Sequence, residues 1–212
     1  MAIRPVLICL LLLLWLVSCG PETTQSETAD APAAERPSGT ALTEAEADSY
    51  RARGKTIAQA TFGALSGQLM QAVQEGGVPH AIDYCHLSAY PLTDSMAQAM
   101  QAHIRRTALR YRNPQNAPTE AERRILEAFQ AQLAASKGTP KPVVEAQGPD
   151  SVSFYAPIML AEACLKCHGE VGTDIAPDDY ALIQTRYPDD QAVGFATGDL
   201  RGAWSITFAR QN

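Results

Sequence analysis

Three scarcities narrow what this chain can be. Lys and Arg are outnumbered, 17 against 23 Asp and Glu, for a net charge of −6. No basic face can be traced, which argues against nucleic acid as a partner because phosphate binding needs one. The longest apolar run, Val6–Val17, has 12 residues, well short of the roughly 20 that a membrane-spanning helix requires. Ligand-bearing residues are few, with five cysteines and four histidines. There is also no internal repeat, and no second constellation of acid–base or nucleophilic residues that would point to an enzyme.

What is present begins with an address. Arg4 and the run that follows fit a secretion signal over residues 1–18. The sequence Leu16-Val17-Ser18-Cys19 resembles a bacterial lipobox, which implies acylation of Cys19 and a lipid anchor. Gly20 after that cysteine resembles lipoproteins sorted to the outer membrane, if the host is Gram-negative. Residues 20–42 are rich in Pro, Ser, Thr, Ala and Glu and read as a flexible tether. The expected layout is therefore a signal peptide at 1–18, an acylated cysteine and tether at 19–42, and one domain at 43–212.

Thr43 and Glu46 form a capping box that opens a helix, with apolar residues at helical spacing up to Val73 and a stop at Gly76-Gly77. A short helix opened by Pro79 and reaching Cys85 is expected next. Met96–Leu109 fits helix or strand, and Arg112–Pro118, with two prolines and two asparagines, reads as a loop. A second capping box, Thr119 with Glu122, starts a helix closed by Lys137-Gly138. Val143–Ala146 and Ser151–Leu160 predict paired strands, and Asp199–Phe208 a last strand with Trp204, Ile206 and Phe208 on one face. Helices first and strands later indicate α+β.

The chemistry-bearing motif is Cys164-Leu165-Lys166-Cys167-His168. Two thiols that can add to haem vinyl groups and an imidazole that reaches the iron all come from one turn of such a C-x-x-C-H segment. A thioredoxin-like motif would be expected after the first strand of a βαβ unit, and none surrounds Cys164. A zinc site would want a second ligand pair. One covalent haem c is therefore expected, with His168 on one side of the iron. For the other side the residues alone leave open Cys85, His80, His86, His103, Met70, Met96, Met100 and Met159, or no protein ligand. Cys85 is the one cysteine left after Cys9 departs with the signal, Cys19 is acylated, and Cys164 and Cys167 bind haem; from the residues alone it reads as a buried free cysteine, an iron ligand or half of an intermolecular disulfide. Arg112 and Asn113 are candidates for haem propionate contacts, with capping of the loop as the alternative; Tyr187 and Arg201 are further candidates.

An ordered series of segments carries a family resemblance: Ala81–Cys85, Arg105-Arg106-Thr107, Arg112–Asn116, Tyr155–Ile158, the haem motif, Tyr187–Phe195 and Gly198–Gly202. The series resembles the single-haem c-type cytochrome domain family first described as a cyanobacterial photosystem-associated haem domain, over about residues 43–208. Ala108 and Tyr90-Pro91 depart from the family pattern without removing a ligand. The resemblance implies a PAS-like fold, an antiparallel sheet with N-terminal and flanking helices, and axial ligation by His168 and Cys85. With the secretion signal and lipobox, and a thiolate donor that favours ferric iron, the expectation is a periplasm-facing, membrane-anchored cytochrome in low-potential electron transfer, served by a redox partner protein or a membrane electron-transfer chain. The alternative is a redox or diatomic-gas sensor that signals through a separate partner; an enzyme is less expected.

Overall fold

The computed structural model describes residues 41–136 and 138–211. The signal segment, Cys19 and the tether up to residue 40 lie outside the described residues, as does Lys137. Among the described residues no helix is long and apolar enough to cross a membrane.

Helix α1, Glu44–Met100, opens on the expected capping box: Glu46 N–H donates to Thr43 Oγ1 at 3.3 Å, and Thr43 N–H donates to Glu46 Oε2 at 2.8 Å. It is two arms broken at Gly76 and Gly77, where Gly77 takes φ 72°, a left-handed value that favours glycine. The arms fold back on each other, since Arg53 Nη2 donates to Met100 O at 3.3 Å across 47 positions. The expected short second helix is in fact the whole second arm and runs to Met100, straight through Pro91. Proline lacks an N–H and normally ends a helix. Here buried Ala89 and Thr93 on either side of it press the arm onto the core, and packing overrides the local cost.

The ambiguous segment proves to be both elements. The helix ends at Gln101, with φ 49°, and strand β1, His103–Thr107, follows. The loop after β1 carries a single 3₁₀ turn at Pro114–Asn116 and is tied down by Tyr90 Oη, which donates to Asn116 Oδ1 at 2.7 Å. Helix α2, Glu120–Ser136, opens on its own box, with Glu122 N–H donating to Thr119 Oγ1 at 3.3 Å and Thr119 N–H to Glu122 Oε2 at 2.9 Å.

Strands β2, Val143–Ala146, β3, Ser151–Met159, and β4, Leu200–Ala209, complete a four-stranded antiparallel sheet in the order β1-β4-β3-β2. Between β3 and β4 come the one-turn helix α3, Leu165–His168, and helix α4, Pro177–Arg186. The two-residue period of the strands divides the core. Val152, Phe154, Trp204, Ile206 and Phe208 pack under α1 with Tyr50, Ile57 and Leu65. Tyr155, Leu200 and Ala203 pack under α2 with Ile125, Leu126 and Phe129. At Gly54 the helix touches the sheet so closely that a Cβ would lie 2.2 Å from the Phe154 ring.

A third cluster positions the site. Ile183 of α4, with Ile175 and Tyr187, packs against Ile82 on the second arm of α1. Arg186 Nε and Asp83 Oδ1 close this contact at 2.7 Å. Cys85 thus sits on an arm clamped between the sheet and α4.

Candidate haem site

A 3₁₀ turn at Glu162–Cys164 runs directly into α3. One compact turn therefore carries Cys164, Cys167 and His168. Cys164 is exposed, Cys167 is part-buried, and both are free thiols. The segment after α4 holds this turn through backbone bonds: Phe195 N–H donates to His168 O at 2.9 Å and Gly194 N–H to Gly169 O at 2.7 Å.

The His168 ring is fixed in the same way. Its Nδ1 lies 2.7 Å from Ala192 O, so Nδ1 carries the proton and Nε2 is left as the free, basic nitrogen. Burial holds its pKa well below the ordinary histidine value, and the charges of Arg201 and Arg112 add to the effect. The ring stands edge-on to Phe195, with centroids 6.4 Å apart.

Arg112 works behind this arrangement. Its Nη2 donates to Cys167 O at 2.5 Å and to Ala192 O at 3.1 Å, and its Nε donates to Asp190 Oδ1 at 3.1 Å. Asp190 Oδ1 also accepts from Ala192 N–H at 2.8 Å. One guanidinium thus joins the haem-motif turn to the segment that orients His168. Asn113 caps the 3₁₀ turn of its loop, accepting from Gln115 N–H at 2.9 Å. These bonds occupy Arg112 Nε and Nη2 and Asn113 Oδ1 with protein partners.

The second-ligand candidates scatter. His80 pairs with Glu75 at 3.6 Å, Met70 is exposed, His103 is exposed at the start of β1, Met96 and Met100 pack from the second arm of α1 onto the core, and Met159 packs beneath α2. His86 meets the Tyr187 ring edge-on at 5.3 Å. Cys85 is different, because it lies within electrostatic reach of Cys167. Burial pushes the Cys167 thiol up to about 11, and Cys85 adds to that rise. Burial likewise raises the Cys85 thiol, opposed by the nearby positive charges of Arg106 and Arg112. Tyr187 is raised by burial and then by Cys85. The donor set of two free thiols on one turn, an imidazole with Nε2 free and a nearby part-buried thiol fits a covalently held haem.

A family model, Tll0287-like, matches residues 27–209. The chain belongs to the Tll0287-like family. The solved structure of the cyanobacterial heme-protein Tll0287 is 23% identical to it, with a TM-score of 0.55 over 81% of this chain and 99% of that one. That likeness carries the fold: α+β, with helices around a four-stranded antiparallel sheet. No curated protein matches the chain.

Sequence reasoning missed Asp190, the Ala192 carbonyl and Phe195 as individual contributors to this site. The one available signal was the segment Tyr187–Phe195, which stood out in the resemblance without roles being attached to its residues.

Proposed function

We propose that this chain is a single-haem c-type cytochrome domain, with haem held covalently by Cys164 and Cys167 and the iron held by His168 and Cys85, acting in low-potential electron transfer. The observation that carries this reading is the five-residue turn bearing both thiols and an imidazole tied through Nδ1 to Ala192 O, with Cys85 within electrostatic reach of Cys167. The family name and the heme-protein of the same fold support it.

When bound, haem supplies a one-electron ferric/ferrous couple. The chain's own residues set its terms. Ala192 O fixes the His168 tautomer and raises its basicity as a ligand. Cys85, as a thiolate, is an anionic donor that favours the ferric form, so the potential lies below that of a His/Met site. Arg106 and Arg112 favour that thiolate by charge. The cluster of Ile82, Ile175, Ile183 and Tyr187 walls off water at this end of the molecule.

Cys85→Ala is the direct test. The expected variant keeps a haem-stained band on denaturing gels but loses the low-spin thiolate signature of the ferric optical and paramagnetic-resonance spectra. An unchanged spectrum would remove Cys85 from the iron. The second reading, a redox or gas sensor, is favoured by the burial that makes a neutral Cys85 thiol easier to form. Loss of the Cys85 bond on reduction, followed by carbon monoxide binding, would select it over the carrier.

We place the domain in the cell envelope, facing the periplasm and anchored through acylated Cys19 after removal of residues 1–18, at the outer membrane if the host is Gram-negative. Residues 20–40 serve as the tether, since Ala41 and Leu42 already contact the domain, and the redox partner is a protein or a membrane electron-transfer chain. Cys19→Ala is expected to move the protein from the membrane to the soluble fraction.

A further inference from the structure

Behind the His168 ring, on the α2 side of the sheet, lies a groove of about 380 Å³. Ligand sites for small molecules begin at about 300 Å³. Leu109, Leu126, Leu133 and Leu200 give it apolar walls, and Arg110 and Arg201 give it charge.

Arg201 is the unusual member. Its Nε is enclosed by protein and has no hydrogen-bond partner, and its Nη1 donates only to a backbone oxygen, Arg110 O, at 3.1 Å. Burial and the charges of Arg112, Arg106 and Arg110 push its pKa down to about 9, opposed by Asp190. Asp190 is already held by Arg112 at 3.1 Å. Asp199, which also lines the groove, accepts from Ala196 N–H at 2.8 Å within its own turn. Arg110 spends its Nε and Nη2 on Gln191 O and Val193 O and lies over the Phe195 ring at 4.1 Å. Two guanidiniums therefore meet an apolar groove, and a buried N–H is left without a hydrogen-bond partner, which is unfavourable.

We infer that this groove binds a small carboxylate with an apolar body, the carboxylate held by Arg201 and the body lying along the leucines of α2 and β4. A planar guanidinium matches a carboxylate in a way a lysine does not. The site is also connected to the centre described above. The Arg201 guanidinium lies 5.6 Å from the Phe195 ring centroid, and that ring stands against His168 at 6.4 Å. An anion on Arg201 cancels a positive charge beside the imidazole, which favours the more oxidised state of anything His168 ligates. This second step rests on the haem reading; binding itself does not.

The test uses the full holoprotein with hexanoate as probe, hexanol and inorganic phosphate as controls, and calorimetry with leucine methyl shifts as readouts. Saturable one-to-one binding of hexanoate is expected, at least tenfold tighter than either control, with shifts at Leu126, Leu133 and Leu200. Arg201→Gln should weaken it at least tenfold and Arg201→Lys less. Ala134→Trp, which fills the groove from an exposed position on α2, should abolish binding without altering the haem spectrum. It also keeps the test decisive if Arg201→Gln fails to fold. Absence of saturable binding, binding indifferent to these changes, or a haem propionate already seated on Arg201 in nuclear Overhauser contacts would each overturn the site. Hexanoate should lower the midpoint potential of wild type but not of Ala134→Trp. Binding without that shift overturns the coupling alone, and a chain that carries no haem fails the earlier reading while the calorimetric result stands.

Discussion

Arg112 is the side chain on which the contacts around the motif converge, and it is nearly enclosed, with 12% of its side chain exposed against 2% for Asp190. Removing one partner of a buried pair leaves the other charge uncompensated, at about 3–5 kcal/mol. Arg112→Gln is therefore expected to destabilise the domain by about that amount in urea melts, and Arg112→Lys to restore only part, because a point charge cannot span Asp190, Cys167 O and Ala192 O together. Glu46 governs acid behaviour at the other end of the domain. Its bonds from Thr43 backbone and side chain, and then from Arg210, hold its pKa down to about 2 against an ordinary 4.5. A lowered carboxylate pKa contributes stability above the unfolded value and loses it as pH falls through the folded one. The melting-temperature gap between wild type and Glu46→Gln should thus be full at pH 6, shrink below 4.5 and close near pH 2.

At the scale of elements, the glycines of α1 have separable jobs. A side chain at Gly54 meets the Phe154 ring, so Gly54→Val should cost about 1–3 kcal/mol by forcing the helix off the sheet. Gly77→Ala meets nothing nearer than Pro79 Cδ at 3.7 Å but must adopt φ 72°, which costs about 1–2 kcal/mol by itself. Equilibrium unfolding of both variants, with haem spectra recorded alongside, separates packing from turn geometry. These elements also show what local sequence conveys. Both capping boxes were legible because each needs only residues three apart. The β2–β3 pair and the face of Trp204, Ile206 and Phe208 were legible because period two survives without tertiary information. The second arm of α1 was not, since Pro91 argues against a helix that only Ala89, Thr93 and the sheet beneath them sustain. The change from helix to strand near Gln101 was equally silent, because a glutamine at φ 49° carries no signal of a left-handed cap.

Across the whole molecule, the site was half written in the sequence. The haem motif is contiguous, so its chemistry can be read from five residues. The framework behind it joins Arg112 to Asp190 across 78 positions and ends on backbone carbonyls, which have no residue identity to recognise. The domain boundary near residue 43 is testable. Leu42 packs on the core and Arg210 Nη2 donates to Ala41 O at 3.2 Å and to Glu46 Oε1 at 3.1 Å. A chain beginning at residue 41 should melt as the longer one does, whereas one beginning at residue 48 should lose several degrees through the missing cap and its Arg210 contact.

The fold-back of α1 has a directional consequence. At 1.5 Å per residue, the first arm carries the chain roughly 50 Å from Thr43 to the glycine turn, and the second returns only about 12 Å before Cys85. The thiol therefore stands some 35–40 Å from the end where the chain enters the domain. On the reading proposed above, the haem would then lie at the far end of the domain from the point where any leash attaches, leaving that end free to meet a partner protein.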